Sequence, residues 1–242
     1  CLHGHNSGVH LSWGETRMPD DYNKLAADAD YALQAVRHGY AAVCIEQSCF
    51  GERREKKLTH PTPHLCFDAV QHTLLLGRTL LGERVSDVST VIDWLQAEGK
   101  NLGLDPARIH VMGNSAGGEA GLYAAALDSR IGAVIASGCV GAYRDTIGCR
   151  SGCADAVIPG ILQWLENDDV LRLCAPRPLV VVSGVNDHLY PFSGAAAMAA
   201  AAGDIDGAMG VPEMLCAVSG PGGHRFYPDQ VWPAFMEMTG QG

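Results

Sequence analysis

Arg108-Ile109-His110-Val111-Met112-Gly113-Asn114-Ser115-Ala116-Gly117-Gly118 passes from a short, β-branched, mostly apolar run into a serine flanked by glycines. Residues 116–127 then run small and alanine-rich with no proline, as a buried helix does. A Gly-x-Ser-x-Gly at such a junction predicts a nucleophile elbow, a tight strand-to-helix turn that lifts one hydroxyl above a sheet. Side chains at 113 and 117 would crowd that turn, which is the physical reason for glycine there. Ser115 is therefore the candidate nucleophile; the plainer alternative is a serine capping a helix N-terminus.

Working outward, strand and helix patterns alternate. The apolar stretch 39–45 reads as a strand, preceded by a helical pattern over 25–38 that stops at Gly39. A polar loop with Pro61 and Pro63 covers 46–66. Two helices follow, 67–81 and 85–97, expected to break at Gly82, with Val85, Val88, Ile92 and Leu95 on one face of the second. After the elbow helix come a strand over 131–136, an irregular stretch over 137–160 rich in Gly and Cys, and a helical pattern over 161–173. Residues 178–183 are continuously apolar, as a central parallel strand is. A helix over 191–202, a strand over 214–218 and a helix over 228–238 complete the order. Such alternation predicts an α/β fold, a mostly parallel sheet with helices on both faces. The expected organisation is a single domain over 1–242, with 137–160 a candidate substrate-wall insertion. Cys1-Leu2 reads as the end of a strand whose beginning is missing, since strands average about 5–6 residues.

Composition narrows the function. The chain has 242 residues, 47% hydrophobic and 18% charged, enough for one domain with a large core. A net charge of −10 argues against a nucleic-acid surface. The one basic cluster, Arg53-Arg54-Glu55-Lys56-Lys57, contains an acid and reads as a solvated loop. No apolar run approaches the roughly 20 residues that span a bilayer. Of the nine cysteines, Cys44, Cys139, Cys174 and Cys216 lie in apolar stretches, where free cysteine acts as a small hydrophobe. That usage favours a reducing, cytoplasmic compartment. Cys149 and Cys153 could pair by spacing.

A serine hydroxyl needs a base, and the base needs an orienting acid. Asp187 lies directly after the predicted strand 178–183, at the strand end where sites form in open α/β sheets. His224 follows the last strand in Gly220-Pro221-Gly222-Gly223-His224, a loop flexible enough to carry an imidazole over the sheet edge. Asp145 is the rival acid; Asp168 and Asp169 fall in a helical stretch. His60, His64 and His72 precede the elbow, and His188 adjoins the acid. His3-Gly4-His5 follows the Cys1-Leu2 strand end, and the amides of His5 and Ala116 are the expected oxyanion donors. A zinc reading of His3, His5 and His10 lacks any accompanying carboxylate or cysteine signature in the local sequence.

With these elements in order, the chain resembles the α/β-hydrolase superfamily along essentially its whole length. Within it, the sequence is similar to the acetyl xylan esterase-like and dienelactone hydrolase-like groups. The stretches that carry this are Glu46-Gln47-Ser48-Cys49-Phe50-Gly51-Glu52-Arg53, Gly82-Glu83-Arg84-Val85-Ser86-Asp87-Val88 leading to Asp93-Trp94-Leu95, Ala175-Pro176-Arg177-Pro178-Leu179, and the Asp187 and His224 loops. The resemblance implies a serine esterase with Ser115 as nucleophile, Asp187 as acid, His224 as base, and His5 and Ala116 as oxyanion donors. It implies no cofactor and no metal, and a small-molecule or carbohydrate ester as partner. Dienelactone hydrolases proper use cysteine, and Ser115 argues against that activity. Ser48 stands where relatives often have arginine. Glu119, one turn after Ser115, reads either as a carboxylate at a helix N-terminus or as a substrate contact. Tyr143, Arg144, Arg150 and Trp164 are candidates for the substrate wall. The rival readings are a peptidase similar to the prolyl oligopeptidase group and a non-catalytic hydrolase-fold binding protein.

Overall fold

The fold comes from a computed structural model that describes residues 1–58, 66–149, 153–211 and 213–240. Among them a parallel sheet runs in the order β1 (Ile109–Asn114), β2 (Ile131–Ser137), β3 (Leu179–Gly184) and β4 (Leu215–Gly220). Because strand residues alternate between faces, the sheet builds two cores. Val111, Val134, Ala136, Leu179 and Val181 face one core, and Met112, Ala133, Ile135, Val180 and Val182 the other.

The helices are α1 (Asp21–Leu25), α2 (Tyr31–Arg37), α3 (Phe67–Leu75), α4 (Leu80–Glu98), α5 (Ala116–Leu127), α6 (Asn167–Arg172), α7 (Phe192–Ala202), α8 (Asp204–Met209) and α9 (Pro228–Met238). The first core takes side chains of α4, α5, α6 and α7, and the second those of α2 and α9. Helices therefore cover both faces, as the alternation predicts. No described helix is long and apolar enough to cross a membrane.

Several elements differ from expectation, each for a local reason. Residues 39–45 form no strand; Ile45 makes an isolated parallel bridge to Leu2, which also bridges Gly113. The segment contacts Cys1-Leu2 through Ile45 N–H to the Cys1 carbonyl at 3.3 Å and the Cys1 nitrogen to the Val43 carbonyl at 2.7 Å. Of the 25–38 pattern only Tyr31–Arg37 continues as a helix, α2; α1 ends at Leu25, and Asp28 lies between them at φ 61°. Gly82 lies inside α4 instead of breaking it. The break falls earlier, where the Thr79 hydroxyl accepts the Gly82 amide at 3.0 Å and caps the helix. The 161–173 pattern yields a short 3-10 turn over Ile161–Gln163 and then α6, because Glu166 and Asp169 form a reciprocal capping box that starts the helix at Asn167. Helix α8 was not foreseen. Pro61, Pro63, His60, His64 and Arg150 lie outside the described residues.

The cysteines also depart from expectation. Cys66 and Cys153 form a disulfide, so Cys153 does not pair with Cys149, which is free and exposed. Sequence proximity misled here: α3 and the segment after β2 pack together and bring distant residues within reach. Cys139 and Cys174 are buried and free, and Cys44 and Cys216 are free and partly buried.

Candidate active site

Ser115 sits at the turn between β1 and α5 with φ 56° and ψ −127°, a conformation that L residues rarely adopt. Such strain persists only where surroundings enforce it. Here the Ser115 amide donates to the Ser137 carbonyl at 2.7 Å, which ties the turn to β2. A Cβ on Gly113 would overlap the Gly117 backbone, and one on Gly117 would overlap the Leu2 carbonyl. The elbow glycines are thus fixed by backbone packed on backbone. Gly4 approaches the same turn, where an added Cβ would stand 2.9 Å from the Asn114 carbonyl and 3.1 Å from the Ser115 Cβ. That close approach sets the His3-Gly4-His5 loop beside the serine.

Asp187 and His224 meet above the carboxyl ends of β3 and β4. The His224 Nδ1 lies 2.7 Å from Asp187 Oδ2, while Asp187 Oδ1 accepts the amides of Leu189 at 2.8 Å and Tyr190 at 2.9 Å. The carboxylate is buried, which works to raise its pKa. The hydrogen bond and charge of His224 and the two amides outweigh that burial and hold it below its usual value. An ionised Asp187 accepts from Nδ1–H, so it fixes the tautomer that leaves Nε2 as the free acceptor. Gly138, at φ 56°, lets the chain pass beneath the ring: an added Cβ would lie 3.1 Å from His224 Cε1.

Ser115 and His224 line one cavity of about 750 Å³, together with His5, Asn114, Ala116, Glu119 and Tyr190. Among the described residues, neither the His5 nor the Ala116 amide donates to a main-chain carbonyl. Both expected oxyanion donors therefore belong to the cavity that holds the serine. A second cavity, of about 600 Å³, lies along β1 against Tyr40, Val43 and Trp232 and includes neither Ser115 nor His224.

Other candidates fall elsewhere. Asp145 is exposed beside Arg144, 3.4 Å away. Asp168 and Asp169 are on α6, paired with Arg172 at 2.7 and 3.0 Å. His188 is exposed, its ring centroid 6.3 Å from that of His224, and His72 is exposed on α3. His3 is fully buried, its Nε2 3.0 Å from Glu46, and His10 pairs with Asp21 at 3.0 Å. The zinc reading of His3, His5 and His10 as one set therefore fails, because each ring faces a different acid, Glu46, Asp155 and Asp21. The substrate-wall residues also need correction. Tyr143 turns inward to meet the Tyr123 hydroxyl, Arg144 points to solvent and Trp164 is 82% exposed; none lines the cavity. Ile147 and residues 153–157 of the same stretch do.

Sequence reasoning missed the supports. Tyr190 donates its hydroxyl to Glu119, so the elbow helix and the acid loop are joined by a buried bond. This gives Glu119 a partner that neither sequence reading supplied. Glu46 accepts from the Val9 amide at 3.0 Å besides holding His3, and the loop that follows it docks through Arg53, whose guanidinium forks onto Asp87 at 2.5 and 3.1 Å. Ser48 also reaches Asp87, at 3.2 Å. Arg84 is 1% exposed and pairs with Asp155 at 2.5 Å. Its signal was available: positions 80, 84, 88 and 92 form the buried stripe of α4, and a charge on such a stripe announces a partner.

This sheet, with its strained serine turn and the acid and histidine on later strand ends, is the α/β-hydrolase fold. The family model BD-FAE matches residues 70–137. A protein of Bacillus subtilis (strain 168) named as a hydrolase, YtaP, is 26% identical over 200 residues, covering 80% of this chain and 62% of that relative. A structure described as an acetyl xylan esterase from Bacteroides fragilis NCTC 9343 superposes with a TM-score of 0.71 at 20% identity, over 91% of this chain and 58% of that one. A CE15 glucuronoyl esterase from Teredinibacter turnerae T7901 gives 0.67 at 19% identity, over 99% and 65%. At these identities the structural likeness is one of fold, and the chain spans about three fifths of the length of these relatives.

Proposed function

We propose that the chain is a serine esterase that cleaves short acyl carboxylic esters, with acylated carbohydrate as its substrate class. The observation that carries this is the Asp187–His224 pair, whose Nδ1 hydrogen bond leaves Nε2 to act in the cavity that Ser115 lines. Ser115 Oγ attacks the ester carbonyl as His224 Nε2 takes its proton. Asp187 stabilises the imidazolium so formed. The amides of His5 and Ala116 receive the negative charge that develops on the carbonyl oxygen. His224 then gives its proton to the leaving alcohol, and a water activated by the same nitrogen releases the acid. The names of the acetyl xylan and glucuronoyl esterases support a carbohydrate-borne ester.

The test is turnover of p-nitrophenyl acetate by the purified chain. Ser115→Ala is expected to lower it by about 10⁴-fold or more, and a fluorophosphonate probe to label Ser115. Activity that survives the substitution would show the nucleophile assignment to be wrong. An unlabelled, inactive wild type would favour a binding protein instead.

A further inference from the structure

His5, Cys66, Cys153 and Asp155 converge on the wall of the large cavity, and one donor atom from each lies within 4.8 Å of the other three. They come from separate parts of the chain: the loop beside the elbow, the residue before α3, and the segment after β2. His5 Nε2 stands 3.5 Å from Cys66 Sγ and 3.4 Å from Asp155 Oδ2. Two thiols, an imidazole and a carboxylate are a donor set for four-coordinate zinc. We propose that, when the Cys66–Cys153 disulfide is reduced, these four residues bind one zinc ion. The cysteines and carboxylate that the local sequence around His5 lacks are supplied by the fold.

Charge balance favours this exchange. In the disulfide form, Asp155 is neutralised by the buried guanidinium of Arg84 at 2.5 Å. Reduction and deprotonation would add two negative charges to the wall, and a divalent cation cancels them with the Arg84–Asp155 pair intact. Either state leaves the region neutral, which a buried site requires. The ligating atom of the imidazole would be Nε2, the atom that already faces Cys66 and Asp155. Arg84 holds the carboxylate as an outer partner, the arrangement that orients ligands in metal sites. His5 and Cys153 are only partly buried, so an ion has a path from the cavity.

The step balances with a phosphine reductant. The phosphine takes oxygen from water and becomes its oxide, and the disulfide gains two electrons and two protons to become two thiols. Zinc then displaces both thiol protons. None of this uses Ser115, so the inference stands or falls apart from the esterase reading.

The experiment titrates the full chain with Co²⁺ under anaerobic conditions, after phosphine treatment and without it. The reduced chain is expected to bind one equivalent with thiolate-to-cobalt charge-transfer absorption and the visible bands of a four-coordinate ion, both abolished by equimolar Zn²⁺. The oxidised chain is expected to show neither. The Cys66→Ser, Cys153→Ser double variant should lose the charge-transfer band, and Asp155→Asn should weaken binding by about 10-fold or more. No stoichiometric binding by the reduced chain, or a charge-transfer band that survives in the double variant, overturns the site. Alkylation of the reduced wild type, mapped by peptide mass spectrometry, needs no substitution. Zinc-dependent protection of Cys66 and Cys153 supports the site, and full modification of both at saturating zinc overturns it.

Discussion

Asp187 shows how one residue can be read for role and stability together. Its carboxyl is held below its usual range, so the unfolded chain takes up the proton more readily than the folded one. The stabilisation is complete above about pH 4 and is lost as pH falls through the lowered folded value. Asp187→Asn should therefore melt below wild type at neutral pH, and the gap in Tm should narrow as the buffer is made more acidic; a gap independent of pH would remove the ionised carboxylate from this account. The same variant should cost about 10⁴-fold in ester turnover, since an amide cannot hold the required tautomer. That Ser115, Asp187 and His224 each follow a strand was legible in the sequence, and the proposed roles rest on that order. Tyr190 and Asp155 were not, because what they do depends on partners about 71 residues away in the chain, Glu119 and Arg84.

At the scale of the element, local chemistry that a periodicity reading passes over decides where helices begin. The elbow helix and α9 were legible to their limits, since small residues or an N-terminal proline mark their ends. In α4 the hydrophobic period was visible and the boundary was not. Gly82 looks like a breaker, yet its amide is the donor that the Thr79 cap needs. Thr79→Ala should cost about 1 kcal/mol and lower Tm by about 2–4 °C, measurable by calorimetry. An unchanged Tm would mean that the buried stripe of α4 alone holds its first turn. The expected strand over 39–45 illustrates the opposite error. Its residues have the right composition, but a strand is defined by pairing, which composition does not show; here the pairing is one bridge, Leu2 to Ile45.

Across the whole molecule, the Arg84–Asp155 pair links α4 to the stretch that walls the cavity. Replacing Arg84 by methionine leaves Asp155 as a buried charge without its guanidinium, a loss of about 3–5 kcal/mol. Urea unfolding should show it as a lower midpoint with unchanged slope. Adding Asp155→Leu should restore much of the loss; no restoration would mean that Arg84 acts through packing instead of charge. The parallel sheet was legible from alternation, whereas this cross-link was not, because no spacing rule connects a helix residue to an irregular segment beyond the elbow.

The ladder itself has one more consequence. Ser115 rises from β1, but Asp187 and His224 rise from β3 and β4, with β2 between. A partly folded chain that had assembled only β1, α5 and β2 would already hold the serine in its unusual turn, yet neither Asp187 nor His224 would stand near it. The distant pairings carry the greatest loop-closure cost and are the slowest to form. On the proposed mechanism, reactivity would thus be withheld during folding, the Ser115 hydroxyl staying inert until the last strands arrive.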